Sequence, residues 1–203
     1  VMRGGRRITT DESIDTVTMV YAGLINKKIV AKLQSKNCNA IGLSGADGNC
    51  IKVNKRLTVP IDFGWVGDVD SVNVKLIKSL LNNKLMPVFS AICHDGKGNL
   101  LNTNADTISA EIAIEMSEYY DVELMYCFEK KGVLENVNDD NSVIEKIDSD
   151  SYQALKNDRI IADGMLPKLE NCFDALRGGV KNINMGNTSM LNQENDNFTK
   201  ITL

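Results

Sequence analysis

Apolar residues recur at helical spacing early in the chain, at Ile14, Val17, Tyr21, Leu24, Ile25, Ile29 and Leu33. That period predicts a helix over about 10–35. Thr9-Thr10-Asp11-Glu12 precedes it as a capping-box signature, with Thr9 as the expected cap and Glu12 three residues on. A short apolar run over 39–44 ends at Gly45 and reads as a buried strand. Residues 51–59 alternate as an exposed strand does, and 60–69 continue as a hairpin-like partner. Asp70 or Ser71 is the expected cap of a helix over about 72–82, and the apolar stretch 85–93 reads as one strand. Asp95-Gly96-Lys97-Gly98-Asn99 has turn composition. A helix over about 104–119, a strand at 122–128 and a polar, acidic loop over 135–150 follow. A further helix near 165–177 carries Pro167 in its first turn and stops at Gly178-Gly179. The strand at 180–185 then leads into an Asn-, Ser- and Gln-rich loop.

Strands alternating with helices of about a dozen residues predict an α/β fold, a sandwich around a mainly parallel central sheet. With 203 residues, 43% apolar and 25% charged, the chain has the make-up of a globular domain with a real core. The net charge of −4 gives no basic footprint for nucleic acid. No apolar run approaches the roughly 18 residues of a membrane helix, and no signal-peptide pattern opens the sequence, so a cytoplasmic location is expected. Cys38, Cys50, Cys93, Cys127 and Cys172 are widely spaced, an odd set without a C-x-x-C pair. They read as reduced thiols, most of them buried, rather than a disulfide framework.

The chemistry is bounded first by what is missing. No G-x-x-x-x-G-K-[ST] and no G-x-G-x-x-G after a strand occur, which excludes a P-loop and weakens a dinucleotide-binding reading. The single histidine, His94, cannot build a histidine metal site, and its place beside a turn suits a solvated residue better than a base. Phosphoryl transfer needs neither, because it runs on positioned cations and hydrogen-bond donors.

Four clusters lie at expected strand ends and helix starts, where α/β enzymes bind ligands. Gly4-Gly5-Arg6-Arg7-Ile8-Thr9 leads two guanidiniums into the first helix, a carboxylate clamp or a solvated basic turn. Leu101-Asn102-Thr103-Asn104-Ala105-Asp106 offers amides and a carboxylate at a helix start, where an ordinary Asn/Asp cap explains the same residues. Ala162-Asp163-Gly164-Met165-Leu166-Pro167-Lys168 presents a lysine in a first helical turn, a phosphate cradle or a surface lysine. Tyr126-Cys127-Phe128-Glu129-Lys130-Lys131-Gly132-Val133 carries charge from a strand end into a loop.

Taken in order, these segments resemble the acetylglutamate kinases of the amino-acid kinase family, over nearly the whole chain. Gly5-Arg6-Arg7-Ile8-Thr9 is similar to that family's N-G-x-R-[VI]-T. Gly42-Leu43-Ser44-Gly45-Ala46-Asp47-Gly48 is similar to G-[LI]-S-G-K-D-G, with Ala46 where lysine is usual. Gly64-Trp65-Val66-Gly67-Asp68-Val69 resembles the G-x-V-G-[DE]-V hairpin. The Asn102–Asp106 segment resembles N-[VI]-N-A-D, and Asp163-Gly164-Met165-Leu166-Pro167-Lys168 resembles G-G-M-[IL]-P-K.

The resemblance implies a three-layer amino-acid kinase sandwich that uses ATP with Mg²⁺ to phosphorylate the side-chain carboxylate of an N-acyl-L-glutamate. The acceptor is N-acetyl-L-glutamate on the road to arginine, or N-succinyl-L-glutamate. It implies Lys168 and Asp106 as catalytic residues, Arg7 and Asn102 on the substrate, and Glu129, Lys131, Gly164 and Met165 on the nucleotide, with no protein-held metal. Asp106 would hold the catalytic lysines in place, and aspartate is usual where Glu129 stands. A single domain is implied, with the acyl-amino-acid lobe over about 1–100, the nucleotide lobe over about 101–203, and a homodimer. The family's opening K-[LIV]-G-G strand and H-G-G-G loop have no counterpart here, so the first strand–helix–strand unit is expected to be absent from this sequence. A catalytically silent binding module of the same fold is the alternative from another class.

Overall fold

The computed structural model describes residues 2–3, 6–158, 160–161, 164–192 and 197–203, without the side chains of Met2, Arg3, Arg6 and Arg7. Two compact units divide the chain, Val1–Ile108 and Ser109–Leu203.

The first unit opens with a small antiparallel hairpin of β1 (Met2–Arg3) and β2 (Arg6–Arg7). The expected long helix follows as α1 (Asp11–Val17), a π-helical stretch (Thr18–Ile25) and α2 (Asn26–Gln34). Its cap is Thr10 rather than Thr9: the Ser13 amide donates to the Thr10 hydroxyl, while Thr9 is buried against the hairpin at Gly64. Either threonine could serve chemically, and tertiary contact takes one of them away. Strand β3 (Ala40–Leu43) is followed by β4 (Ile51–Lys55) and β5 (Val66–Val72). Because β5 runs through Asp70 and Ser71, helix α3 (Val74–Asn82) is capped by Asn73 instead, whose side chain accepts from the Leu76 amide.

The apolar stretch expected as one strand is two, β6 (Met86–Phe89) and β7 (Ile92–His94), and they serve different sheets. Strand β6 lies parallel to β3. Strand β7 joins β4, β5 and β8 (Leu100–Thr103) in a closed four-stranded barrel. Ser90 sits at the switch, donating its amide to the Leu43 carbonyl as the chain leaves the β3–β6 pair. The barrel explains why 51–55 is not an exposed strand: Ile51, Val53, Ile92, Cys93 and Leu101 are all fully buried. Each large apolar side chain so buried contributes roughly 1.5–3 kcal/mol. Helix α4 (Ala105–Ser117) then runs across the unit boundary.

In the second unit β9 (Glu123–Cys127) pairs in parallel with β11 (Asn182–Gly186). The latter is antiparallel to β12 (Thr199–Ile201), which is parallel to β10 (Lys146–Ile147). Helix α6 (Leu166–Arg177) covers this sheet through Leu169, Cys172, Phe173 and Ala175, and Pro167 falls in its first turn as expected. Between β10 and α6 lies α5 (Ser149–Asn157), which starts at the end of the loop expected over 135–150 and continues through residues to which the sequence assigned no element. Its capping box pairs Asp148 with Ser151, and a serine in place of the usual Glu or Gln conceals that signal in the sequence. Parallel pairing recurs in both units, so the α/β expectation holds, with the barrel as an unforeseen addition.

Candidate functional site

The first unit holds a cavity of about 500 Å³ lined by Tyr21, Ile25, Asn26, Ile29, Ser90 and Asn102, among others. A volume of this order suits a small metabolite. The π-helical stretch supplies Tyr21 and Ile25, in keeping with the frequent placement of π-helical turns at functional sites. Asn26 is buried and donates to the Val88 carbonyl at 2.8 Å, while accepting from the Lys27 ammonium at 3.1 Å. Ser90 is also buried, and its hydroxyl has no hydrogen-bond partner among the described residues. Neither Asn26 nor Ser90 was expected from sequence. Ser90 carried a signal, a polar residue inside an apolar run, but Asn26 carried none.

Asn102, on β8, donates its side-chain amide to the Thr9 hydroxyl at 3.1 Å. Its backbone amide donates to the Trp65 carbonyl at 2.9 Å. Asn104 is an N-cap, accepting from the Thr107 amide at 3.0 Å, which satisfies its structural reading. Asp106 lies in the first turn of α4. Arg7 pairs with Met2 in the small hairpin, and its side chain lies outside the described residues. The hairpin at Trp65 is tied down from several sides. The Thr9 amide donates to the Phe63 carbonyl at 2.9 Å, and the Trp65 amide donates to the Thr9 carbonyl at 2.7 Å. The Trp65 indole N–H donates to the Asp11 carboxylate, and Lys55 covers the ring at 4.1 Å. Gly64 makes this possible: its φ is +70°, and a Cβ there would lie 2.1 Å from the Thr9 carbonyl oxygen.

In the second unit a smaller cavity, about 220 Å³, is walled by Phe128, Glu129, Val133, Leu134, Ile161 and Met165 with neighbours including Lys130. It sits beyond the C-terminal ends of the parallel pair β9 and β11, the usual ligand position in α/β sheets. Glu129 and Met165 therefore share one cavity wall, as two of the four expected nucleotide residues. Lys131 and Gly164 are not among its walls. The Lys131 carbonyl instead passes close to Gly186, where a Cβ would come within 2.3 Å of it. Gly164 lies in the turn before α6, with no described atom within 4 Å of where a Cβ would stand, and the neighbouring Asp163 falls outside the described residues. Lys168 occupies the first turn of α6, its ammonium 5.0 Å from the Tyr126 ring centroid. Lys130 pairs with Asp140 at 2.6 Å and, chiefly by that hydrogen bond, holds the exposed Asp140 carboxyl below the ordinary range.

His94 ends β7, and its Nδ1 accepts from the Gly96 amide at 3.2 Å, so it closes the turn that follows. Burial pushes the Cys50 and Cys93 thiols each up to about 11, which leaves no reactive thiolate at either position. Among the described residues no group of three or more His, Cys, Asp or Glu could hold a metal ion. No described helix is long and apolar enough to cross a membrane.

Two cavities, each beside strand ends of an α/β unit, with a lysine at a helix start and an anchored asparagine, are features of an α/β protein that binds small molecules. The profile of the amino acid kinase family matches residues 2–187, and the chain belongs to that family. It is 50% identical over 182 residues to the acetylglutamate kinase of Bacteroides thetaiotaomicron, covering 90% of this chain and 71% of that one. It is 49% identical over 192 residues to the acetylglutamate kinase of Phocaeicola vulgatus, covering 95% and 75%. A solved Streptococcus mutans protein, smu.665, superposes with a TM-score of 0.83 at 26% identity, over 100% of this chain and 76% of that one.

Proposed function

We infer that this protein is an acetylglutamate kinase, transferring a phosphoryl group from ATP to the side-chain carboxylate of N-acetyl-L-glutamate in arginine biosynthesis. The observation that carries this reading is the near-50% identity to two acetylglutamate kinases over nine-tenths of the chain.

The residue roles are our proposal. Arg7 and Asn102 grip the α-carboxylate of the acyl-amino acid in the first unit, where the 500 Å³ cavity beside Asn102 has room for it. Glu129, Lys131, Gly164 and Met165 contact the nucleotide in the second unit, where the apolar walls between Glu129 and Met165 suit a base. Lys168 neutralises charge on the transferring phosphoryl group, since the positive end of α6 and an ammonium converge at its first turn. Asp106 supplies the carboxylate of the catalytic set. An attacking carboxylate oxygen and a γ-phosphate repel one another, so fixed cations are the main catalytic need.

The described residues build no metal cage. We propose that Mg²⁺ is held chiefly by the nucleotide phosphates, a common arrangement for this strongly hydrated ion. We further propose a cytoplasmic homodimer whose partners are N-acyl-L-glutamate and ATP, with no nucleic acid or membrane.

The test is ADP release by the full-length enzyme with N-acetyl-L-glutamate, N-succinyl-L-glutamate or no acceptor. Release that depends on the acetyl compound is expected. Preference for the succinyl compound, or release independent of any acceptor, overturns the reading.

A further inference from the structure

Thr9 is 1% exposed, and every polar group it offers has a specific use. Its backbone amide and carbonyl are taken by Phe63 and Trp65 of the hairpin, which fixes its position on both sides. Its hydroxyl accepts from the side-chain amide of Asn102, 93 residues away. Asn102 is itself pinned by its backbone to Trp65. Residue 9, the hairpin and β8 thus form one closed circuit at the edge of the 500 Å³ cavity that Asn102 lines.

We infer that Thr9 is the positioning residue of the acyl-amino-acid site, aiming the Asn102 amide at the substrate. The inference rests on the kinase reading above and deepens it. A primary amide carries two N–H donors in one plane. With one committed to the Thr9 hydroxyl, rotation of the amide is stopped and the second N–H has a set direction. A carboxylate then meets a donor already oriented, and less ordering is left for the moment of binding. Residue 9 also lies only two positions after Arg7, in a backbone locked by the hairpin. The same residue therefore fixes the start of the Arg7 clamp and the direction of the Asn102 amide. The Thr9 hydroxyl itself touches no substrate atom in this role.

The experiment compares wild type, Thr9→Val, Thr9→Ala and Thr9→Ser in the full-length enzyme, measuring kcat and the KM for each substrate, with Thr9→Ala as the second acceptor-free variant should Thr9→Val not fold. Thr9→Val keeps the shape but removes the acceptor. It should raise KM for N-acetyl-L-glutamate about 5–20-fold, the scale of one lost hydrogen bond to a binding group, with kcat and KM for ATP within about twofold. Thr9→Ser restores the oxygen and should return KM to within about twofold of wild type. In an Asn102→Ala background, Thr9→Val should add less than a twofold change, because the group it positions is gone. An unchanged KM in a folded Thr9→Val, equal losses for both substrates, an undiminished effect without Asn102, or failure of Thr9→Val and Thr9→Ala to fold would each overturn the inference. If wild type itself ignores N-acetyl-L-glutamate, the parent reading fails instead, and that outcome is separate from all of these.

Discussion

The Lys168 ammonium lies 5.0 Å from the centre of the Tyr126 ring, joining the first turn of α6 to the buried face of β9. A lysine side chain otherwise samples many rotamers, and an aromatic face narrows that choice. Lys168→Ala should cut kcat by about 10²–10³-fold, the usual loss when one preorganised charge-stabilising group goes. KM for ATP should change less, because the charge matters most in the transition state. Tyr126→Leu keeps the ammonium and removes the aromatic face beside it, so kcat should fall by no more than about tenfold. Steady-state kinetics of the two variants check both numbers, and a normal kcat in Lys168→Ala returns the residue to the surface-lysine reading.

Arg7→Lys tests the substrate clamp while keeping the charge. An ammonium cannot reproduce the flat bidentate fork of a guanidinium. KM for N-acetyl-L-glutamate should rise roughly 10–150-fold, from about 1.5–3 kcal/mol for a charged hydrogen bond, with KM for ATP almost unchanged. A KM that stays put locates the carboxylate clamp away from Arg7.

Gly64 is the hinge of the Thr9 circuit. Gly64→Ala places a Cβ within 2.1 Å of the Thr9 carbonyl at a left-handed backbone angle of +70°. The cost should be on the order of 2 kcal/mol, visible as a lower Tm, and KM for the acyl-amino acid should rise with it. An alanine variant as stable as wild type shows that the hairpin moves freely.

Alkaline pH should destabilise the fold through Cys50 and Cys93. Burial raises each thiol from 9.0 to about 11. Between those values the unfolded chain releases these protons and the folded chain keeps them, so stability falls as pH climbs from 9 toward 11. Below pH 9 the two states bind the same protons and this contribution is fully present. Thermal unfolding across pH 8–11 should show the decline, and a Cys50→Ala/Cys93→Ala double variant should show a shallower one. Alkylation at pH 8 followed by mass spectrometry should label the exposed Cys127 first.

Periodicity carried the long elements into view. The helices α4 and α6 lie where apolar spacing puts them, because each buries apolar side chains against a core; α1 to α2 lie where expected too, but with Leu24, Ile25 and Ile29 exposed and only Asn26 buried. What local pattern could not supply was pairing. In 85–93 the polar Ser90 interrupts the apolar run, but that alone does not announce a change of sheet, since the residues on both sides are apolar and only their partners differ. Strands β10 and β12 are two and three residues long, too short to carry a period of two. Helix α5 is polar on most positions and hides its cap behind a serine. The same divide runs through the candidate site. Motif order brought Asn102, Glu129, Met165 and Lys168 to notice, whereas the bond from Thr9 to Asn102 spans too much chain for any spacing rule. Asn26 and Ser90 gained their meaning only from the cavity they line.

The π-helical stretch at Thr18–Ile25 gives this region an unusual sensitivity to chain length. A π turn is wider than an α turn, so it accommodates a residue that an α-helix in the same space would have to expel. Every side chain beyond it faces where it does because that surplus is retained. Deleting one residue between Thr18 and Ile25 would leave a good helix and yet rotate Asn26 off the Val88 carbonyl and Ile29 out of the cavity wall. Relatives that differ by one residue here would therefore differ in cavity shape with their strands and motifs intact. In a library of loop and helix deletions, this is the place where acceptor selectivity should drift before the protein stops folding.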